Sequence, residues 1–425
     1  MSIAAFAVLL LTISNVVVDA GIIQSLLFPK NPKVVKVRDP QTARALGKEP
    51  FVVLDFVGLV EQHGYPAESH NIVTEDGYIL TFHRIPGTPE SPDPKGKRVV
   101  FIQHGILASS DTWVLFGPGK DLAFLLAEAG YDVWVGNIRG NTYGRKHVNI
   151  STNDPKFWEF SYHEMAMFDI PGMIDHILEV TGEKTLTYIG HSMGTTISYS
   201  MLSRKPEYNE KIHLVISLAP VAYWVGPLPP WLKLVMENWS EIQAFFLGNG
   251  IYDIAPQTTT MAVLGRALCG DYSPTQPVCV SVIFVLSGID ENQLDTSVIS
   301  HISAYYPAGA SFMSFKHYVQ NIQTVAFRAF DFGKEENRFR YHQEKPPEYD
   351  LSRVTAPVAL IFGPNDNLVQ KSDVEALSRN LSNVVTVEPV PYKKFTHVDF
   401  LWAKDAKSLV YDRVIELIKQ YQTRR

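Results

Sequence analysis

Gly190, His191, Ser192, Met193 and Gly194 fit the pattern G-x-S-x-G, and that spacing has a chemical meaning. A serine hydroxyl becomes a nucleophile when a base takes its proton and donors await the negative charge that attack creates. A sharp turn between a strand and a helix serves both needs. It lifts the hydroxyl clear of the sheet and aims helix N–H groups at the reacting atom. Such a turn strains the serine backbone and demands neighbours without side chains, hence the glycines. The pattern alone is short enough to arise by chance, as an ordinary Gly-rich loop, so its surroundings decide. Residues 186–189 form a short apolar run of strand length. Ile197, Met201 and Leu202 then recur at helical spacing until Pro206.

A serine of this kind needs a histidine base and a carboxylate that orients it. Behind a strand–serine–helix turn, the chain order is serine, acid, base. Asp366 directly follows the apolar run 358–362, and His397 lies between the apolar run 384–390 and the last amphipathic stretch. Both positions are strand C-termini, where an open α/β sheet delivers side chains to a site. An Asp after a strand is also a common helix cap and a lone His a common structural residue; order and position together favour Asp366 and His397. Asp399 and Asp405 compete for the acid role but lie beyond His397. Two backbone donors complete the set: Met193, directly after the serine, and Ile106, in the loop His104, Gly105, Ile106, Leu107 after the run 99–102. The plain reading of His104 and Gly105 is a turn.

Stepping along the chain, residues 71–74 and 78–82 flank the turn Glu75, Asp76, Gly77 as a hairpin. Short apolar runs at 99–102, 133–135, 186–189 and 214–219 then alternate with helical stripes, one of Leu122, Leu125, Leu126 and Ala129, another of Ile170, Met173, Ile174, Ile177 and Leu178. This rhythm predicts an α/β fold with a mostly parallel sheet covered on both faces. It breaks after Ala219 and resumes at 358–362. The stretch between holds Trp224, Trp231, Trp239, Phe245, Phe246, Phe312 and Phe315 without alternation and reads as a helical insertion over the sheet. A final helix carries Leu409, Val410, Val414, Ile415 and Ile418 on one face.

Of 425 residues, 46% are apolar and 12% aromatic, and the net charge is −6, which excludes the basic footprint of a nucleic-acid binder. Residues 3–11 form an apolar run, with Val18 and Ala20 as small residues before Gly21; this predicts a cleaved signal peptide over 1–20, although Lys and Arg are missing from its start. Thr12, Ser14, Asn15 and Asp19 break that run short of a membrane span, and no other stretch is long enough to cross. Export fits three sequons, at Asn149, Asn238 and Asn380, and the two cysteines, Cys269 and Cys279. Gly270, Pro274 and Pro277 let the intervening loop turn back, so one disulfide is expected, two separate thiols being the alternative. Two cysteines at this spacing do not make a zinc site, and no metal is expected.

With these residues in hand, the chain resembles the acid lipases, the gastric and lysosomal enzymes and their insect relatives. The resemblance runs from about residue 55 to 418. It is carried by 74–80 (TEDGYIL), 140–142 (GNT), 160–165 (FSYHEM), 307–309 (PAG) and 395–402 (FTHVDFLW). It implies an α/β-hydrolase fold, a triad of Ser192, Asp366 and His397, and oxyanion donors at Ile106 and Met193. It also implies a cap over 223–350 whose mobile lid holds Cys269 and Cys279, between core segments 21–222 and 351–425. Two departures stand out: Met193 where relatives often have Gln, and Tyr143 where they often have Trp. The activity implied is hydrolysis of neutral lipid esters, triacylglycerol or cholesteryl ester, at a lipid–water interface, with no cofactor. The protein would be secreted, or lysosomal as the alternative. A silent lipid-binding relative and an esterase for smaller esters are the competing readings. The apolar run 280–286 is expected to lie buried against the site when a lid is closed.

Overall fold

The computed structural model describes residues 35–39, 41–42 and 52–422. The expected signal peptide, 1–20, lies outside the described residues.

Nine strands form one sheet: β1 (Glu68–Val73), β2 (Tyr78–Ile85), β3 (Val99–Gln103), β4 (Asp132–Val135), β5 (Lys146–His147), β6 (Leu186–His191), β7 (Ile212–Leu218), β8 (Val358–Phe362) and β9 (Val384–Pro389). Their order is β9-β8-β7-β6-β3-β4-β2-β1, with β5 beside β2. From β9 to β4 every pair is parallel; β2 runs antiparallel to β1, β4 and β5. The antiparallel edge is the hairpin turned by Asp76 and Gly77, and Asp76 is held there by both terminal nitrogens of Arg139 at 2.5 and 2.8 Å.

Alternation along the strands makes two cores. Val99 and Phe101 of β3, with Val358 and Leu360 of β8, face helices α3 (Ile170–Thr181), α4 (Met193–Arg204) and α12 (Lys371–Asn380). Val100, Ile102, Ala359 and Ile361 face α2 (Leu122–Glu128) and α13 (Asp412–Gln422). The helix α1 (Phe56–Glu61) packs on this second face, its Asp55 side chain accepting the Gly58 N–H at 2.8 Å as an N-cap. The strands are apolar on both faces because both faces are covered.

Between β7 and β8 the chain forms α5 (Pro230–Glu237), α6 (Trp239–Gly248), α7 (Thr259–Cys269), α8 (Gln276–Ser287), α9 (Ile299–Tyr305), α10 (Phe312–Thr324) and α11 (Lys334–Tyr341). Small cores of their own hold α5, α6 and α10, one of Phe246, Ile251, Ile254 and Phe312, another of Leu232, Val235 and Ile322, while Ile302, Ala304 and Tyr305 of α9 join the second core of the sheet. Cys269, ending α7, is bonded to Cys279 in α8, with Cα atoms 5.7 Å apart. One expectation fails here. The run 280–286 is only half-buried, Val285 is 51% exposed, and of α8 only Ser287 is buried. The helix is apolar all round, so a neighbour on one side leaves the rest of its surface uncovered.

Candidate active site

The chain leaves β3 toward β4 on one side, while β6 lies on the other side of β3. This is a topological switch point, and crevices open there at the C-terminal ends of parallel strands. The loop His104–Leu107 follows β3, Ser192 follows β6, Asp366 follows β8 and His397 follows β9, so all four segments converge on one end of the sheet.

Ser192 sits between β6 and α4 with φ 52° and ψ −119°, a backbone that L-residues rarely adopt. Its N–H donates to the Leu218 carbonyl at 3.0 Å, which ties the turn to β7. Gly194 is required by space: a Cβ there would lie 2.5 Å from the Gln103 carbonyl oxygen, a backbone atom that cannot swing away. The Met193 side chain is buried in the core beneath the turn, so this residue contributes packing and leaves its backbone N–H as the polar group. That N–H opens α4, and the first N–H groups of a helix have no partner inside it.

The Ser192 Oγ is 2.8 Å from His397 Nε2, and His397 Nδ1 is 2.7 Å from Asp366 Oδ2. A carboxylate accepts, so Nδ1 carries the proton and Nε2 offers its lone pair to the serine hydroxyl. The other Asp366 oxygen accepts N–H groups from Leu368 at 2.7 Å and Val369 at 2.9 Å, which fixes the carboxylate plane. All three side chains are buried. The two rival acids are engaged elsewhere. Asp399 accepts the Thr396 N–H at 2.6 Å, and Asp405 accepts from Gln293 Nε2 at 3.0 Å. Burial, with the nearby Asp290 carboxyl, pushes Asp399 up to about 7 against the N–H bond from Thr396.

The loop with Ile106 lies against Ser192: a Cβ on Gly105 would come 3.0 Å from Ser192 Cβ. Burial lowers His104 to about 4, so its ring is neutral; Nδ1–H donates to the Gly105 carbonyl at 2.7 Å and Nε2 accepts from Asn141 Nδ2 at 3.1 Å. Asn141, the centre of the 140–142 motif, therefore braces this loop from outside. Ala308, the centre of the 307–309 motif, braces it from above by donating its N–H to the Leu107 carbonyl at 2.7 Å. Tyr143 donates its hydroxyl to Asp111 Oδ1 at 2.7 Å and accepts the Phe56 N–H at 2.9 Å. Lys36 reaches both Asp111 and Tyr143. A tryptophan could not make the hydroxyl bonds, so this departure ties residues before the hairpin to the loop behind the site.

Two contacts carry no signal in the serine motif or in the chain order. His191 Nε2 donates to the His397 carbonyl at 3.1 Å, a direct link between the residue before Ser192 and His397. The Ser287 carbonyl, at the end of α8, accepts the N–H groups of both His397 and Asn367 at 3.2 Å. Gly288 makes this approach possible. It has φ 115°, and a Cβ there would lie 2.1 Å from the Asn365 carbonyl oxygen.

A mostly parallel sheet, a strained serine between strand and helix, and an acid and base after later strands define an α/β-hydrolase. Residues 56–117 match the family model of a partial alpha/beta-hydrolase lipase region, and residues 98–260 that of the alpha/beta hydrolase fold. The chain is 40% identical over 363 residues to Lipase 3 of Drosophila melanogaster, covering 85% of this chain and 92% of that one. It is 37% identical to gastric triacylglycerol lipase of Bos taurus, over 88% and 94% of the two chains. To lysosomal acid lipase/cholesteryl ester hydrolase of Homo sapiens it is 36% identical, over 88% and 93%. A crystal structure from Sulfolobus solfataricus aligns with a TM-score of 0.55 at 13% identity, covering 83% and 94%, a likeness of fold alone. The chain belongs to the acid lipase family and is a carboxylic ester hydrolase.

Proposed function

We propose that the protein is an exported lipase that cleaves carboxylic esters of neutral lipids, triacylglycerol or cholesteryl ester, through an acyl-enzyme. The observation that carries this reading is the relay from Ser192 Oγ through His397 to Asp366, with contacts of 2.8 and 2.7 Å. His397 Nε2 takes the Ser192 proton as Oγ attacks the ester carbonyl, and the Ile106 and Met193 N–H groups receive the resulting oxyanion. The tetrahedral intermediate collapses, the alcohol leaves with the proton from His397, and the acyl group stays on Oγ. Water, deprotonated by His397, then attacks the acyl-serine; the acid departs and Ser192 regains its proton. Asp366 holds the imidazole tautomer and stabilises its cation. No step calls on a cofactor.

Neutral lipids are favoured because relatives named for triacylglycerol and cholesteryl ester align over most of both chains. The insertion over 223–350 acts as a cap in this reading. Ser192 is only 8% exposed, and in this reading the cap moves to admit substrate. Leu268, Val278, Val285 and Ile289 stand exposed on or beside α7 and α8, where a lipid surface would cover them. Among the described residues no helix is long and apolar enough to cross a membrane. Asn149 and Asn380 are exposed and Asn238 half-buried, so the first two leave more room for a glycan. Secretion is the expected destination, with the lysosome as the alternative.

Purified protein assayed on emulsified triolein, cholesteryl oleate and a soluble butyrate ester tests the substrate claim. Turnover of at least one long-chain lipid above that of the butyrate supports it. Hydrolysis of the butyrate alone would make the protein a small-ester esterase, and hydrolysis of none would favour the silent binding protein.

A further inference from the structure

At the β1 edge of the sheet, opposite the β9 edge, two imidazoles face each other. His70 lies on β1 and His176 on α3, and His70 Nδ1 is 3.2 Å from His176 Nε2. The other His70 nitrogen, Nε2, is 2.9 Å from Glu68 Oε2. The carboxylate accepts, so in a neutral ring the proton sits on Nε2 and the Nδ1 lone pair points at His176. In the metal-free protein His176 Nε2–H fills that gap. We infer that the His70–His176 pair binds a divalent transition metal such as Zn2+, with solvent completing its coordination.

The distance supports this. Two nitrogens at tetrahedral angles around zinc, each ~2.0 Å from the metal, stand ~3.3 Å apart. The two nitrogens already stand at that separation, and a turn of the rings aims both lone pairs at the metal. They sit on different elements, and both pack on rigid aromatics: the His70 ring is 4.5 Å from Trp134 and the His176 ring 5.5 Å from Phe82. Glu68 supplies the arrangement found around metal-bound histidines, a carboxylate on the far N–H that fixes the tautomer and strengthens the ligand. The nearby cation Arg84 is neutralised by two bonds to Asp132 at 2.8 and 2.9 Å and one to Glu68 at 3.1 Å. Glu179, one helical turn beyond His176, adds negative charge. Among the described residues no three potential ligands gather in one place, so this is a two-histidine site. On binding, the metal replaces the proton on His176 Nε2, and that proton moves through solvent to Nδ1 of the same ring.

Titration calorimetry with ZnCl2 at pH 7.5 tests the site on the whole protein. The wild type should bind one equivalent, and His70→Gln and His176→Gln should each bind at least tenfold more weakly. Glu68→Gln should weaken binding about tenfold, the lower end of the 10- to 100-fold that a second-layer partner contributes. Zinc should raise the melting midpoint of the wild type and of neither histidine variant. Cobalt in the wild type provides a reading independent of the variants, through the intense visible bands of tetrahedral nitrogen ligation. An isotherm unchanged in His176→Gln, no saturation up to millimolar zinc, or a cobalt spectrum like that of the aqueous ion would overturn the assignment.

Discussion

Asp399→Asn separates a structural carboxyl from a catalytic one. Asp399 is buried two residues after His397, accepts the Thr396 N–H, and faces Asp290. Asp290 Oδ2 is buried with no hydrogen-bond partner among the described residues, and a proton on Asp399 supplies the missing donor. Burial first, and Asp290 after it, raise Asp399 from 3.8 to about 7. Between those values the folded chain binds more protons at this site than the unfolded chain does, so stability falls as pH rises from about 4 to 7. The raised group's contribution is therefore fullest below the unfolded value and lost as pH passes the folded one. About three units at ~1.4 kcal/mol each set a ceiling of roughly 4 kcal/mol, and water drawn in by the charge trims it to on the order of 3. Asparagine resembles the protonated acid: its oxygen can accept from Thr396 and its amide can donate to Asp290. Urea unfolding of both proteins from pH 4 to 8 reads the effect. The variant should gain on the wild type with rising pH, by on the order of 3 kcal/mol at pH 8. Asp121, pushed up to about 7 by burial, slopes both curves alike, so the difference is what counts. A difference that stays constant across this range refutes the reasoning. Turnover at pH 5 should stay within about tenfold of wild type; a loss near the triad scale would give Asp399 the acid role.

Asp366→Asn should lower turnover by roughly 10⁴ with the fold intact, because the imidazole loses its tautomer control; rates within tenfold of wild type would remove Asp366 from the mechanism. His191→Phe deletes the hydrogen bond to the His397 carbonyl, and a bond worth about 1–1.5 kcal/mol predicts a roughly tenfold fall in kcat with KM unchanged; an unaltered kcat would make that contact incidental. Replacing Cys269 and Cys279 together with serine frees α7 from α8, and activity on emulsified long-chain lipid should suffer more than activity on a soluble butyrate ester. Equal losses on both, at unchanged stability, would argue against a gating role for this part of the cap.

Much of the core was legible because its signals are local. The run at 186–189, the glycines around Ser192 and the stripe Ile197, Met201, Leu202 lie within one strand–turn–helix unit, and the structure extends that unit only to Leu186–His191 and Met193–Arg204. Asp366 and His397 could be picked because chain order and strand ends constrain them together, and the structure brings both to Ser192. The insertion was far less legible. Its aromatics mark an apolar interior, but periodicity cannot tell which helix covers which, so α8 reads as buried where it is half-exposed. The Ser287 carbonyl could not have been foreseen, since every residue carries one, and only a glycine after an apolar helix hinted at a tight approach. His191 occupies a variable position of the serine motif, and its bond to His397 depends on a fold that brings together residues 206 apart. The 140–142 and 307–309 motifs could be seen only as resemblance until Asn141 and Ala308 were found bracing the loop of Ile106.

The most direct test of the acyl-enzyme account is active-site labelling with a long-chain phosphonate, followed by peptide mass mapping alongside residual lipid hydrolysis. One equivalent should attach to Ser192, hydrolysis should fall in proportion to labelling, and Ser192→Ala should neither label nor turn over. Full lipid hydrolysis by a folded Ser192→Ala variant, or labelling at another serine that tracks the loss of activity, would contradict it.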